Sequence, residues 1–330
     1  MPNKKTILSG MQPTGTGQLH LGNYEGALKN WVKLQDEYNM YCCIVDWHTL
    51  TAGFENSVNL KDCIFNVAAD YLSAGLDPEK CAIFIQSDVK EHAELHLLFS
   101  MMISVPTLTR LPTFVEKKEE IGLDNYGFLG YPVLQAADIC IYNADFVPVG
   151  KDQEKHIWLA ADLAKRFNNT YGETLVEPKA LFTKIPVVPG SDGKKMSKSY
   201  GNTLMLNESA EETEAKLKRY FTDPEKLRKG DPGHPDICPV YMLHKIYTPD
   251  HEKEIAPPCK TGELGCVDCK KKLAKNLNGA LEPIRKKRLV IEQNKDYVWD
   301  VLKNGATRAR ERAAAVMAAV RSAMKMDYYK

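Results

Sequence analysis

"GMQPTGTGQLHLGNY", residues 10 to 24, follows a short apolar run from Thr6 to Ser9 and leads into an amphipathic pattern from Tyr24 to Tyr38. A strand that ends in glycines and reopens as a helix gathers free backbone N–H groups and a helix N-terminus in one place. That is how a phosphate is held without a dedicated side chain. The glycine spacing fits neither common nucleotide fingerprint. Gly15 and Gly17 are followed by glycine at 22 rather than 20, so the dinucleotide pattern fails. Gly17 and Gly22 have the P-loop separation, but Asn23 and Tyr24 stand where Lys and Ser or Thr would reach phosphate and magnesium.

Further along, Tyr41 to Asp46 (YCCIVD), Cys81 to Gln86 (CAIFIQ) and Asp145 to Val149 read as strands. Ser57 to Ala74 and Gln153 to Phe167 read as helices, the second with Ile157, Ala160, Ala161, Ala164 and Phe167 on one stripe. Strands alternating with helices at this spacing predict an α/β fold with a doubly wound parallel sheet. The polar stretch Glu116 to Asn125 reads as a surface loop, and "PGSDGKKMSKSYGN" (189 to 202) as a mobile glycine-rich loop. Ser209 to Glu212 has the form of a capping box, and helical patterns dominate from there. In the last of them Ala309, Ala313, Met317, Val320 and Met324 form a stripe suited to core packing. The expected division is a Rossmann-like domain over 1–205, with an insertion around 87–135, followed by an α-helical domain over 206–330.

The 330 residues, 44% hydrophobic and 26% charged, suit a globular chain with a sizeable core. No apolar run is long enough to span a bilayer and the N-terminus lacks a signal-peptide core, so a cytoplasmic protein without membrane contact is expected. The net charge of +1 hides an asymmetry. Residues 259–330 carry 17 Lys and Arg against 8 Asp and Glu, whereas residues 1–258 carry 27 against 35. A basic end on an acidic body suggests a polyanionic partner at that end.

Two short motifs give the phosphate signals a context: "HLGN" at 20–23 and "KMSKS" at 195–199. Together they resemble the paired signatures of class I aminoacyl-tRNA synthetases. The longer strings "SGMQPTG", "GNYEGAL", "IVDWHTLT", "YPVLQAADICIYNADFVPVGKDQEKHI" and "DGKKMSKSYGN" resemble the bacterial tryptophanyl branch over nearly the whole chain. The resemblance implies activation of L-tryptophan by ATP with Mg2+, transfer to tRNA(Trp), and a homodimer with the insertion at its interface.

Residue by residue, the resemblance makes Lys195, Lys198 and Ser197 the catalytic set, with the lysines on the leaving pyrophosphate. It gives the rest of ATP binding to Gln12, Pro13, Thr14, His20, Gly22, Asn23, Gly150, Lys151, Asp152, Val187, Met196 and Ser199. Asp138 would accept the indole N–H, with Tyr131 and Gln135 beside it, Gln153 and Gln12 on the ammonium and carboxylate, and His48 in the pocket wall. Tyr131-x3-Gln135-x2-Asp138 equally fits a tyrosyl enzyme's grip on a phenol, so tyrosine is the alternative substrate. A nucleotide-dependent redox protein is the alternative from another class.

That last alternative arises from the cysteines. Of nine, Cys42, Cys43, Cys63, Cys81 and Cys140 sit in apolar segments, as buried reduced thiols do. The other four form Cys238-x20-Cys259-x6-Cys266-x2-Cys269. Zinc ribbons use two close pairs and this run has one, so all-thiolate ligation of a 4Fe-4S cluster is favoured, with zinc or free thiols as alternatives. A subset of bacterial tryptophanyl enzymes carries such a cluster on a similar run. It would act as a staple, with Lys260, Lys270, Lys271, Lys272 and Lys275 around it meeting tRNA phosphates.

Overall fold

The computed structural model describes residues 4–122, 125–182, 188–228 and 230–329. Five parallel strands form one sheet: β1 (Thr6–Met11), β2 (Asn39–Ile44), β3 (Cys81–Ile85), β4 (Phe146–Val149) and β5 (Lys179–Phe182), in the order β3-β2-β1-β4-β5. The winding reverses between β1 and β4, which pair at Ile7 and Phe146. A doubly wound sheet splays its connections apart at that reversal and leaves a crevice beyond the carboxyl ends of the two strands. The glycine-rich stretch leaves β1 directly into it.

The expected strands are present with shifted ends. The second stops at Ile44 because Val45 turns the chain and Asp46 opens a short helix, its Oδ1 accepting the Ser87 amide at 3.0 Å. β5 has no counterpart among the strands expected from sequence, since four half-exposed residues give too little alternation to register. The expected loop over Glu116 to Asn125 is corrected for residues 116–121, and its residues 123–124 lie outside the described residues. A helix runs over Pro112–Ile121, Gly122 ends it at φ 67°, and Asn125 caps the next helix by accepting the Phe128 amide. Exposed helix faces are as polar as loops, and polarity alone misread this one.

Six helices position the crevice and the cysteines: α1 (Leu60–Ala74), α2 (Tyr126–Cys140), α3 (Glu154–Tyr171), α4 (Pro239–Tyr247), α5 (Cys266–Gln293) and α6 (Lys295–Ala323). The capping box at Ser209 and Glu212 is formed, opening a helix over Ala210–Lys218. Of the expected stripe, Ala309, Ala313, Met317 and Val320 are fully buried, and Met324 at the helix end is half-buried against the same core. The stripe's partner is the sheet, for α6 lies along β3. At Gly305 an added Cβ would sit 1.9 Å from the Ile83 carbonyl oxygen, so only glycine permits that approach. Leu273, Leu277 and Leu281 of α5 share a core with Ile7, Leu21 and Trp31. The helical C-terminal part is thus held to the sheet directly through α6, while α5 packs against α1. Cys42, Cys43, Cys63, Cys81 and Cys140 are all buried and free, as expected.

Candidate active site

The turn after β1 is built against α1. At Gly17, φ is +78° and a Cβ would fall 2.1 Å from the Cys63 carbonyl oxygen, so the loop lies flat on the helix only because glycine is there. His20 then caps the helical run after it. Its Nδ1 accepts the Asn23 amide at 3.3 Å, and Asn23 Oδ1 accepts the His20 amide at 3.1 Å. A ring nitrogen that accepts cannot also carry a proton, so neutral His20 keeps its proton on Nε2. Burial, reinforced by Lys198, lowers its pKa to about 4, and it stays neutral at physiological pH. The two residues read as phosphate donors are therefore also each other's caps.

The second motif folds back onto the first. Leu21 donates its amide to the Leu204 carbonyl at 2.8 Å, and Leu206 donates to Leu19 at 2.9 Å. This pairing draws the 195–199 loop over the crevice, where Lys198 Nζ donates to the Thr14 carbonyl at 3.0 Å. A cavity of about 380 Å3 lies between them. Gln12, Thr14, His20 and Asn23 line one side, and Ser197, Lys198 and Ser199 the other. Burial depresses the Lys198 ammonium, while the Asp70 carboxylate pulls it back up.

Other expected nucleotide residues divide by position. Met196 and Pro13 are buried, and Met196 packs with the core beneath the loop. Lys195 is exposed and does not line the cavity. At Gly22 a Cβ would come 3.0 Å from the His20 ring, so a side chain there would push that ring aside. Gly150 and the turn Lys151–Gln153 follow β4, the strand beside β1, and are not among the described residues that line that cavity. Val187 lies outside the described residues.

The loop owes its shape to Asn202, a residue whose role no motif in the sequence announces. Buried to 2% exposure, it accepts the Ser197 amide on Oδ1 at 2.8 Å and donates through Nδ2 to Asp192 at 2.8 Å and to the Lys195 carbonyl at 3.3 Å.

Beyond the sheet, α2 carries Asp138 into a dry knot. Oδ1 accepts from Gln86 Nε2 at 2.7 Å and His92 Nδ1 at 2.6 Å, and Oδ2 lies 2.7 Å from His48 Nε2. Burial would raise this carboxyl, but the His48 and His92 hydrogen bonds outweigh it and hold it well below the usual range. His92 Nε2 in turn lies 2.7 Å from the Tyr142 hydroxyl. A carboxylate has about four acceptor positions, and these three donors leave one on Oδ2. Tyr131 stands edge-on to His48 with ring centroids 6.2 Å apart, and its hydroxyl lies 3.2 Å from His156 Nε2. His156 Nδ1 is 3.0 Å from Gln153 Oε1, so α3 and α2 are bridged. Gln86, His92 and His156 were not anticipated; only the i, i+3 pairing of Gln153 with His156 left a local trace.

This arrangement has known relatives. A family model described as tRNA synthetases class I (W and Y) matches residues 2–282. A tryptophan–tRNA ligase of Thermotoga maritima is 48% identical over 98% of this chain and 99% of its own length. The chain belongs to the class I tryptophanyl-tRNA synthetases. A second member, from Aquifex aeolicus, is 41% identical over 97% of this chain and 99% of its own length. A solved tryptophanyl-tRNA synthetase from Campylobacter jejuni, in complex with ADP and tryptophan, superposes with a TM-score of 0.86 at 32% identity, covering 97% of this chain and 99% of that one. Membership of the tryptophanyl family, with whole-length relatives of that name, decides against both the tyrosyl and the redox alternatives.

The four remaining cysteines line one small cavity of about 20 Å3, drawn from α4's entry, the short helix Ala256–Lys260 and the first turn of α5. Burial first, then the neighbouring thiols of Cys238, Cys259 and Cys266, push Cys269 up to about 12. Lys226 lies close enough to Cys259 to oppose that effect there. Among the described residues no group of three or more His, Cys, Asp or Glu side chains is set as a cage for a metal ion. Nor is any described helix long and apolar enough to cross a membrane.

Proposed function

We propose that this member of the family, a tryptophan–tRNA ligase, carries out both half-reactions at the β1/β4 crevice. In the first, a tryptophan carboxylate oxygen attacks the α-phosphorus of MgATP. The bond from that phosphorus to the bridging oxygen breaks, and pyrophosphate leaves with the electron pair. No protein nucleophile is required, so the work is positioning two anions and stabilising charge on the leaving group. Lys198 and the Nε2–H of His20 suit that charge, and Lys195, exposed on the same loop, can join them on closure. Gly22 and Gly150 leave bare backbone for adenine and ribose. In the second, a terminal adenosine hydroxyl of tRNA(Trp) attacks the acyl carbonyl and AMP departs.

On the side-chain end, the open acceptor position of Asp138 Oδ2 fits an indole N–H, with Tyr131, Gln135 and His48 as walls and Gln153 and Gln12 toward the amino acid's charged end. What supports this reading is the meeting of Lys198 with the His20–Asn23 turn around one cavity. Exchange of labelled pyrophosphate into ATP tests it directly. The rate should depend on tryptophan and not on tyrosine; tyrosine-dependent exchange would overturn it.

We infer further that Cys238, Cys259, Cys266 and Cys269 hold an iron–sulfur cluster. Four sulfurs line one small cavity without being drawn together as a cage, so the cluster would have to pull them in, and thiols crowded as these are would gain by losing protons to its cationic core. When bound, the cluster supplies a cross-link between α4's entry and α5. The basic residues after 259 would face tRNA. The exposed Leu97, Met101 and Val105 would meet a second copy of the chain, in keeping with a dimer built on the 87–135 segment.

A further inference from the structure

One face of α1 is spent on the backbone of the turn after β1. Cys63 Sγ donates to the Gly15 carbonyl at 3.0 Å, Asn66 Nδ2 to the Thr16 carbonyl at 2.7 Å, and Asp70 Oδ2 accepts the Leu19 amide at 2.6 Å. Positions 63, 66 and 70 follow one another along the same side of a helix, so three side chains hold three successive parts of the turn. Two of the three are themselves held from behind. Arg288 of α5, 2% exposed, donates Nη2 to Asn66 Oδ1 at 2.7 Å, Nη1 to the Asn66 carbonyl at 3.0 Å, and Nη1 to Asp70 Oδ1. Its Nε meets Glu292 at 2.8 Å, which fixes the plane of the guanidinium.

We propose that Arg288, through Asn66 and Asp70, is a positioning residue for ATP. It sets the height of the Gly15–Leu19 turn against the sheet, and so the placement of His20 and Asn23 on the phosphates. The same helix begins at Cys266 and Cys269, about 30 Å away at 1.5 Å per residue. The C-terminal part of the chain thereby has one continuous helix, with Pro283 inside it, leading to the nucleotide turn. None of these side chains shares a hydrogen-bond partner with the Asp138 knot, so the effect should fall on ATP and leave tryptophan alone. Lysine at 288 would keep the charge but lack the flat fork that reaches two partners at once.

The inference rests on the nucleotide reading of the crevice, and the test separates the two. Pyrophosphate exchange is measured for the wild type, Asn66→Ala and Arg288→Lys, with tryptophan binding without ATP as a check on the fold. Both variants should raise KM for ATP by about tenfold, with KM for tryptophan within twofold, since displacement of a positioning element costs on this scale. Asn66 is only half-buried, so its alanine variant decides the matter if Arg288→Lys does not fold. ATP kinetics unchanged in Asn66→Ala would overturn the proposal, as would equal losses for both substrates. A wild type with no tryptophan-dependent exchange would overturn the crevice reading itself.

Discussion

Asn202 Oδ1 accepts the Ser197 amide at 2.8 Å across the neck of the 189–202 loop. The opposite strand of the loop is built around it, because a Cβ on Gly190 would fall 2.3 Å from the Asn202 amide. Asn202→Ala should leave tryptophan binding intact and lower kcat for activation by about tenfold, as the lysines lose their placement. Gly190→Ala should do the same by displacing the amide. Single-turnover rates at saturating ATP check both; an unchanged rate in either would show that the loop is shaped elsewhere.

Lys198 bridges to Thr14 in the resting site and should shift to pyrophosphate as charge develops there. Its contribution belongs to the transition state more than to ATP binding. Lys198→Ala should therefore reduce kcat by about two to three powers of ten, the scale for losing one preorganised donor. A raised KM for ATP with normal kcat would contradict this.

Asp138 is the acceptor at the centre of the buried knot, and Asn in its place turns one oxygen into a donor, facing either His48 at the Oδ2 position or Gln86 and His92 at the Oδ1 position. Asp138→Asn should cut tryptophan-dependent exchange by about two to five powers of ten, the range for a site built on one hydrogen bond. ATP binding should persist. Because the folded carboxyl titrates below the unfolded one, its contribution to stability is present above the unfolded value of 3.8 and is lost only as pH falls through the folded value, in strong acid.

Mild acid should act elsewhere. His20 and His244, the latter buried in α4 with its Nδ1 2.8 Å from the Thr248 hydroxyl, are both lowered to about 4, chiefly by burial, from 6.5 in the unfolded chain. Between those values the unfolded chain binds protons that the folded chain refuses, so stability falls as pH drops from 6.5 toward 4. Asp70 acts in the opposite sense. Burial, partly offset by Arg288, raises it to about 6, so its contribution is present below 3.8 and lost as pH rises through 6. Two histidines outweigh one carboxylate. The urea midpoint at pH 5 should lie below that at pH 7, and His244→Gln should flatten the difference. Equal slopes in the two proteins would exclude a neutral buried His244.

Cys266→Ser removes one of four sulfurs around the small cavity beside α5. It should abolish bound iron and sulfide, measured on protein prepared without oxygen, and weaken tRNA charging more than tryptophan activation. Stoichiometric zinc in the colourless wild type would replace the cluster with a zinc site, and metal-free protein with full charging would reject both.

The local features were legible in the sequence because their causes are local. Period-2 and period-3.6 patterns placed four strands and the main helices, and Ser209 and Glu212 announced a helix start. The glycines of the first turn suggested an approach to phosphate, whereas Gly17 lies against the Cys63 carbonyl of α1. The two signature motifs named the chemistry from nine residues. What stayed hidden depended on the path of the chain. Gln86 and His92 meet Asp138 from 52 and 46 residues away, and Arg288 reaches Asp70 across 218. The stripe on α6 told that a face was buried without telling that β3 covers it. A side chain's periodicity reports only that it leaves water; which donor it meets there is decided when strands in the order β3-β2-β1-β4-β5 bring distant residues to the same crevice.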